Sequence, residues 1–398
     1  GTYGLPAEVL PYLIFYDRNI FDATRVPYPQ PGWTWDDLIA AASQLTETEG
    51  GTVSRYGFVD GYPASTVVAM AQQYGVPLWD DGVDPPQPLF DTPPVAEVVR
   101  RYVDLARVYQ VMPEPEIGSN LLTSSLINEG RAAIWTGPAY ERDRHAARTS
   151  LGLLPFPEDI AAANPVSLYG LFASAGTAHP EATWRWISYA SANHKPLLPG
   201  ALPGRRSVGE QLSWWRQLDE DTRTVYEYAL DHPAADDPLA RPLWSAVAAV
   251  FSDDAALEQA LANAQEWALN MQADLAQAPP VAPRPVASVQ PTPPAGQTVV
   301  RFAPAPGADH SIYRALATAF RDQEPGIWVE IVPSPGDLAE LPRAADCFAA
   351  RAQVAQGTQP ELISLDPLLS ADPDLDLADF YPQFLGPVQE GGELWALP

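Results

Sequence analysis

The chain has 398 residues, 46% of them hydrophobic, with 12 Trp and 16 Tyr, which is enough apolar material for substantial cores and, by length, for roughly two to three domains. Its formal charge of -27 argues against a nucleic-acid partner and equally disfavours an anionic membrane surface, because phosphate contacts need clustered Lys and Arg and none are clustered here. Cys347 is the single cysteine, so an internal disulfide and a Cys-based metal site are excluded. The five His are scattered without ligand spacing, and neither a metal nor a cofactor is expected.

The chain opens on Gly1-Thr2-Tyr3-Gly4-Leu5-Pro6 and closes on Gly392-Glu393-Leu394-Trp395-Ala396-Leu397-Pro398. Aligned on Leu-Pro, both phrases read aromatic, small, Leu, Pro, the pattern of a piece cut from a tandem repeat whose usual beginning lies near residue 299. Tyr12 to Tyr16 reads as a strand, Asp17 to Phe21 as a turn into a short helix, and Pro27 to Gly32 as a break. Thr34 caps a helix over Trp35 to Leu45, with Asp36 and Asp37 complementing its dipole. Further helices are expected at Pro94 to Tyr109, Pro180 to Ala190, Trp214 to Leu230, Pro242 to Phe251 and Asp254 to Ala276. Short apolar strands are expected at Ala132 to Trp135 and Gly152 to Pro155. No stretch approaches the roughly 18 apolar residues of a membrane span, so no membrane insertion of this fragment is expected.

From Ala278 to Gly296 seven prolines punctuate Ala, Val, Gln, Ser and Thr, the composition of a semi-rigid linker that could span up to roughly 55 to 60 Å in polyproline geometry. Beyond it, Thr298 to Phe302 reads as a strand, Ile312 to Phe320 as a helix and Trp328 to Val332 as a second strand. Cys347 to Ala355 reads as a second helix, and Glu361 to Leu365 as a third strand ending at Asp366-Pro367. That alternation implies α/β architecture with a mainly parallel sheet. Ligand groups then fall at the carboxyl ends of its strands, at Ala303 to Gly307 and Asp366-Pro367.

The phrases Leu13 to Asp22, Val26-Pro27-Tyr28, Gly32 to Leu38 and Tyr56-Gly57-Phe58 resemble the central stretch of the extracytoplasmic solute-binding proteins of ABC importers. The branch is the one that includes maltodextrin- and glycerol-phosphate-binding members. That family's later landmarks follow at Asn128 to Ala133, Trp135 to Pro138, Pro180 to Trp184 and Leu202 to Ser207. Its amino-terminal phrases, Phe302-Ala303-Pro304, Phe320 to Val329 and Pro360 to Ile363, come last instead of first. The resemblance therefore implies a circularly permuted periplasmic-binding-protein-like α/β fold. Residues 1–277 would be the family's C-terminal part (most of one lobe and part of the other), 278–297 a Pro-rich linker and 298–398 its N-terminal part.

Such proteins, as the resemblance implies, hold a solute in a cleft between two hinged lobes and close on it for delivery to an ABC permease, working outside the cytoplasm as periplasmic or cell-surface proteins. A saccharide is the expected ligand. Glu8, near a family crossing point, could accept sugar hydroxyls or be a solvated loop carboxylate; Asp366, directly after a strand, is a polar contact or a cap. Asp60 and Tyr62 lie in a Gly- and Pro-containing loop and are site or ordinary turn. Trp244 resembles a stacking Trp of the maltodextrin branch, and Tyr140 and Tyr169 are comparable candidates. Arg206, with Arg205, could grip an anionic group or hold a loop against one of the many acids. Trp33, Trp35, Trp184, Trp186 and Trp267 are expected in the core. A glycosidase needs only two suitably spaced carboxylates, but no such pair, Gly-rich phosphate loop, Ser elbow or metal motif stands out, so a non-enzymatic binder is expected. The alternatives are a tandem module for sensing or a domain-swapped assembly.

Overall fold

A computed structural model describes all residues except 1, 81, 84–85, 116–120, 143–150, 194, 198–199, 236–239, 253–254, 278–294, 307, 336–339, 353–360 and 389–398. Nearly all of the Pro-rich linker and the closing phrase at 392–398 thus lie outside the described residues. The fold is mixed α/β, as the strand and helix patterns predict, and it divides into two compact units. One contains residues 1–10, 167–218 and 275–398; the other contains 11–166 and 219–274.

In the unit built on 11–166 and 219–274, the central strand is the second half of Gly4–Asp17. It reads as an almost unbroken apolar run and is buried through Tyr16, as expected of a strand covered on both faces. One edge pairs antiparallel with Ala132–Pro138 in the register Tyr12↔Pro138 to Tyr16↔Ile134, and the other with Leu151–Leu154. Ala132–Pro138 in turn runs parallel to Thr52–Val59. The helix Trp35–Leu45 forms where Thr34 and Asp37 make a reciprocal capping box, and it buries Trp35, Leu38, Ala42 and Leu45 at helical spacing. The helices Pro93–Arg107 and Ala240–Ser252 contribute Val99, Tyr102 and Val247 to the same core.

The other unit is assembled from both sides of the linker. Thr298–Ala303 runs parallel to Ile327–Ile331 and to Cys347–Arg351, and the last of these pairs antiparallel with the second half of Asn164–Ala173, Cys347↔Ala173 to Arg351↔Tyr169. Trp186, on helix Pro180–Asn193, packs edge-on against Phe302 and Phe320, and the three are fully or almost fully buried. The Thr2 carbonyl accepts the Leu365 N–H at 2.6 Å, and the Tyr3 N–H reaches Val388 O at 2.8 Å.

Several local expectations change. Cys347–Arg351 is a strand, where a helix is expected over Cys347 to Ala355. Its Ala-rich sequence favours helix, but Cys347 to Ala350 are buried and paired on one edge, Cys347 and Phe348 on both, and packing overrides so small a propensity. The expected strand Glu361 to Leu365 reduces to one bridge, Leu362 to Ser174. Leu5 to Glu8 lie inside the first strand rather than before it. Trp267 is 39% exposed on helix Leu257–Gln277, while Trp33, Trp35, Trp184 and Trp186 are buried.

The single helix expected over Trp214 to Leu230 splits into the 3-10 turn Trp214–Gln217 and the helix Glu220–Asp231, because Asp219 caps the second. The Asp219 carboxylate accepts the Thr222 N–H at 2.8 Å and the Thr222 hydroxyl at 2.9 Å, and the backbone bond first of all holds its pKa below the ordinary value. A lowered folded-state pKa stabilises above the unfolded value of about 3.9, and this contribution fades as pH falls through the folded value. Asp219→Ala is expected to cost about 1 kcal/mol in urea unfolding at neutral pH, whereas Asp219→Asn, still a good cap, keeps most stability and loses the acid-side dependence.

Candidate functional site

In the unit of residues 11–166 and 219–274, a hydrogen-bonded group of polar and aromatic side chains forms where Thr52–Val59 ends. The chain turns through Asp60-Gly61-Tyr62 into helix Pro63–Gln73, whose first position is the proline. Pro63 has no N–H to leave unpaired there, and Tyr62 takes the N-cap position in a non-helical conformation without a side-chain cap bond. The Tyr62 hydroxyl lies 3.2 Å from the Tyr140 hydroxyl, and Tyr140 follows the end of Ala132–Pro138. Tyr12, on the neighbouring strand, meets the Tyr62 ring edge-on at 4.7 Å.

Beneath this pair sits Asp60, which is 5% exposed. Its Oδ1 accepts the Thr136 hydroxyl at 2.6 Å and the Tyr62 N–H at 2.9 Å, and its Oδ2 accepts the Tyr102 hydroxyl at 2.9 Å. The Thr66 hydroxyl, close by, donates to the Tyr62 carbonyl at 3.2 Å. Burial pushes the Asp60 carboxyl above its ordinary pKa, and the bonds it accepts pull it back toward the charged form. Burial, followed by the Tyr140 contact, drives the Tyr62 phenol far upward, so it stays protonated at neutral pH. Two facing phenols can both donate and accept, the combination a sugar hydroxyl requires. Trp244, on helix Ala240–Ser252, is half-buried and packs against the same core as Tyr62.

Of the eight expected site residues, Asp60, Tyr62, Tyr140 and Trp244 fall in this unit, and Asp60, Tyr62 and Tyr140 share one hydrogen-bonded cluster. Glu8, Tyr169, Arg206 and Asp366 fall in the other unit and are dispersed within it. Glu8 is no loop carboxylate: it is 4% exposed within its strand and accepts the Leu197 N–H at 2.7 Å. Tyr169 accepts a hydrogen bond from Arg351 Nε at 3.2 Å. Asp366 follows no strand; it opens the six-residue helix Asp366–Ala371 and accepts the Thr2 N–H at 2.8 Å. Arg206 lies over the Tyr381 ring, 5.1 Å from its centre. Its neighbour Arg205 is buried, pairs with Asp379 at 3.2 Å and lies over Phe380. Burial lowers the Arg205 pKa while Asp379 and Asp372 oppose the shift.

Sequence reading missed Tyr102, Thr136 and Thr66. Thr136 stood inside the quoted phrase Trp135 to Pro138, but Tyr102 is 42 residues from Asp60 and reads only as part of an apolar helical face. Among the described residues there is no group of three or more His, Cys, Asp or Glu able to hold a metal, and no helix long and apolar enough to cross a membrane.

Residues 1–193 match the family model of bacterial extracellular solute-binding proteins. The match covers a little under half of the chain. The match takes in the strand Gly4–Asp17 and the Asp60–Tyr62–Tyr140 cluster. No curated protein matches the chain. Among solved structures, an ABC substrate-binding protein of Listeria monocytogenes in complex with cycloalternan is similar with TM-score 0.55 at 20% identity, over 68% of this chain and 72% of that one. Maltose-bound MalE3 of T. maritima gives TM-score 0.53 at 16% identity over 68% and 72%. The maltose/maltodextrin-binding domain MalE of Bdellovibrio bacteriovorus bound to maltotriose gives 0.51 at 19% over 67% and 72%. The fold is therefore that of periplasmic sugar-binding proteins.

Proposed function

We propose that this chain is a non-catalytic binding protein for a saccharide, working outside the cytoplasm and delivering its ligand to an ABC permease. The observation that carries the reading is the match of residues 1–193 to the extracellular solute-binding family. The structural neighbours support the ligand class, since their bound molecules are cycloalternan, maltose and maltotriose, all saccharides. The Tyr62–Tyr140 pair offers both donors and acceptors for hydroxyls, and Trp244 an aromatic face for a pyranose ring. The chain order is read as permuted, with residues 298–398 standing for the family's amino-terminal part; their joining with residues 1–10 and 167–218 in one unit supports this.

A thermal-shift screen against monosaccharides, maltose and maltotriose tests the reading. A ligand of the folded state raises the unfolding midpoint, by an amount that grows with the logarithm of its concentration above Kd. Stabilisation by at least one saccharide is expected, and none by any of them would overturn the assignment. Trp244→Ala is expected to weaken the best binder by about tenfold or more in calorimetric titration, the range of a central aromatic anchor. An unchanged affinity would remove Trp244 from the site.

A further inference from the structure

We propose that Asp60 is a positioning residue, which holds Tyr62 and Tyr140 as a pair for a sugar hydroxyl and does not itself touch the sugar. This rests on the saccharide reading above. A carboxylate offers about four lone-pair directions. Tyr62 N–H, the Thr136 hydroxyl and the Tyr102 hydroxyl occupy three, and the group is 5% exposed. Enclosed in this way, the carboxylate offers a sugar no open approach.

The donors are placed to transmit position. Tyr62 belongs to the start of helix Pro63–Gln73, Thr136 to strand Ala132–Pro138 and Tyr102 to helix Pro93–Arg107. The Thr136 hydroxyl donates to Asp60 and accepts the Gly61 N–H at 2.9 Å, so the turn carrying Tyr62 is bound twice to the strand that leads to Tyr140. At 2.6 Å the Thr136 bond has the length of a charge-assisted O–H to carboxylate contact, and such contacts are the stronger kind. Moving or removing this carboxylate therefore changes the spacing of the two phenols before it changes anything else at the site.

The test uses the full chain with tyrosine labelled at Cζ, with Tyr62 and Tyr140 signals assigned through Tyr62→Phe and Tyr140→Phe, and maltose and maltotriose as probes. Asp60→Asn turns one acceptor into a donor facing donors, and Thr136→Val removes the relay at nearly constant volume; Thr136→Ser keeps it. Without sugar, the Tyr62 and Tyr140 signals are expected to shift in Asp60→Asn and Thr136→Val and to stay in place in Thr136→Ser. With sugar, the first two variants are expected to bind about tenfold more weakly, a loss absent in Thr136→Ser and absent again when Tyr62 is already Phe. Two results overturn the proposal: tyrosine signals that do not move in a folded Asp60→Asn or Thr136→Val, or an affinity loss that persists undiminished in the Tyr62→Phe background, which would mean direct contact of Asp60 with sugar. If the parent chain binds neither these probes nor any monosaccharide, the saccharide reading is what fails, and the ligand-free tyrosine signals still decide the positioning. Where Asp60→Asn does not fold, Thr136→Val against Thr136→Ser carries the same decision.

Discussion

Replacing Gly57 by Ala is expected to cost about 3 kcal/mol or more and to lower the thermal midpoint of the unit that contains it by roughly 6–12 °C. Gly57 lies in strand Thr52–Val59, flush against the end of helix Trp35–Leu45. A Cβ there would stand 1.9 Å from the Ala42 carbonyl oxygen and 2.5 Å from its carbon, and both are backbone atoms with no rotamer to yield. The same carbonyl accepts the Thr46 N–H and hydroxyl, each at 2.9 Å, and the Thr46 hydroxyl accepts the Gly57 N–H at 3.0 Å. Displacing the helix end therefore disturbs hydrogen bonds as well as packing. Gly209→Ala is the internal contrast: it lies in helix Arg206–Gln211 with nothing within 4 Å of its added Cβ. There Ala is expected to stabilise by about 0.5–1 kcal/mol, because glycine loses more backbone freedom in a helix. Thermal and urea unfolding of both variants check the pair, and a Gly57→Ala chain as stable as the parent would refute the close approach.

Deleting residues 298–398 is expected to abolish the fold of the unit made of 1–10, 167–218 and 275–398, and adding that segment in trans is expected to restore it. The segment contributes Val300, Phe302, Tyr313, Phe320, Ile331 and Cys347 to a core whose other members include Leu5, Leu171, Trp184, Trp186 and Ile187. Each large apolar side chain exposed by the deletion forfeits about 1.5–3 kcal/mol of burial, so the loss far exceeds the 5–15 kcal/mol by which domains are stable. Cys347–Arg351 and Thr298–Ala303 also leave the sheet, which strips the edge at Tyr169 to Ala173 of its partner. Circular dichroism and proteolysis of residues 1–277, alone and mixed with 298–398, provide the measurement. Full cooperative structure in 1–277 alone would show that the two portions are separate bodies and would end the permuted reading.

Local chemistry was legible wherever it was self-sufficient. Thr34 and Asp37 announce their helix because a capping box needs only neighbours in sequence, and the helix spans Trp35–Leu45 as expected. The run Tyr12 to Tyr16 announces a strand because so apolar a stretch must be covered on both faces. The family phrases carried the fold class for the same reason, since each is a short local pattern. Tyr62 and Tyr140 were picked out as aromatic candidates, although nothing in the sequence places their hydroxyls 3.2 Å apart.

Thus the amino-acid order by itself determined the alternation of apolar helices and strands, the α/β class and the aromatic candidates, because these depend on periodicity and on residues close in the chain. Tertiary structure alone decided that Cys347–Arg351 is a strand, that Glu8 is buried on Leu197 N–H, and that Asp60 is enclosed by Thr136, 76 positions away, and by Tyr102. In each case a contact between segments remote in sequence overrides a preference of less than about 1 kcal/mol per residue, and such contacts leave no periodic trace in the chain.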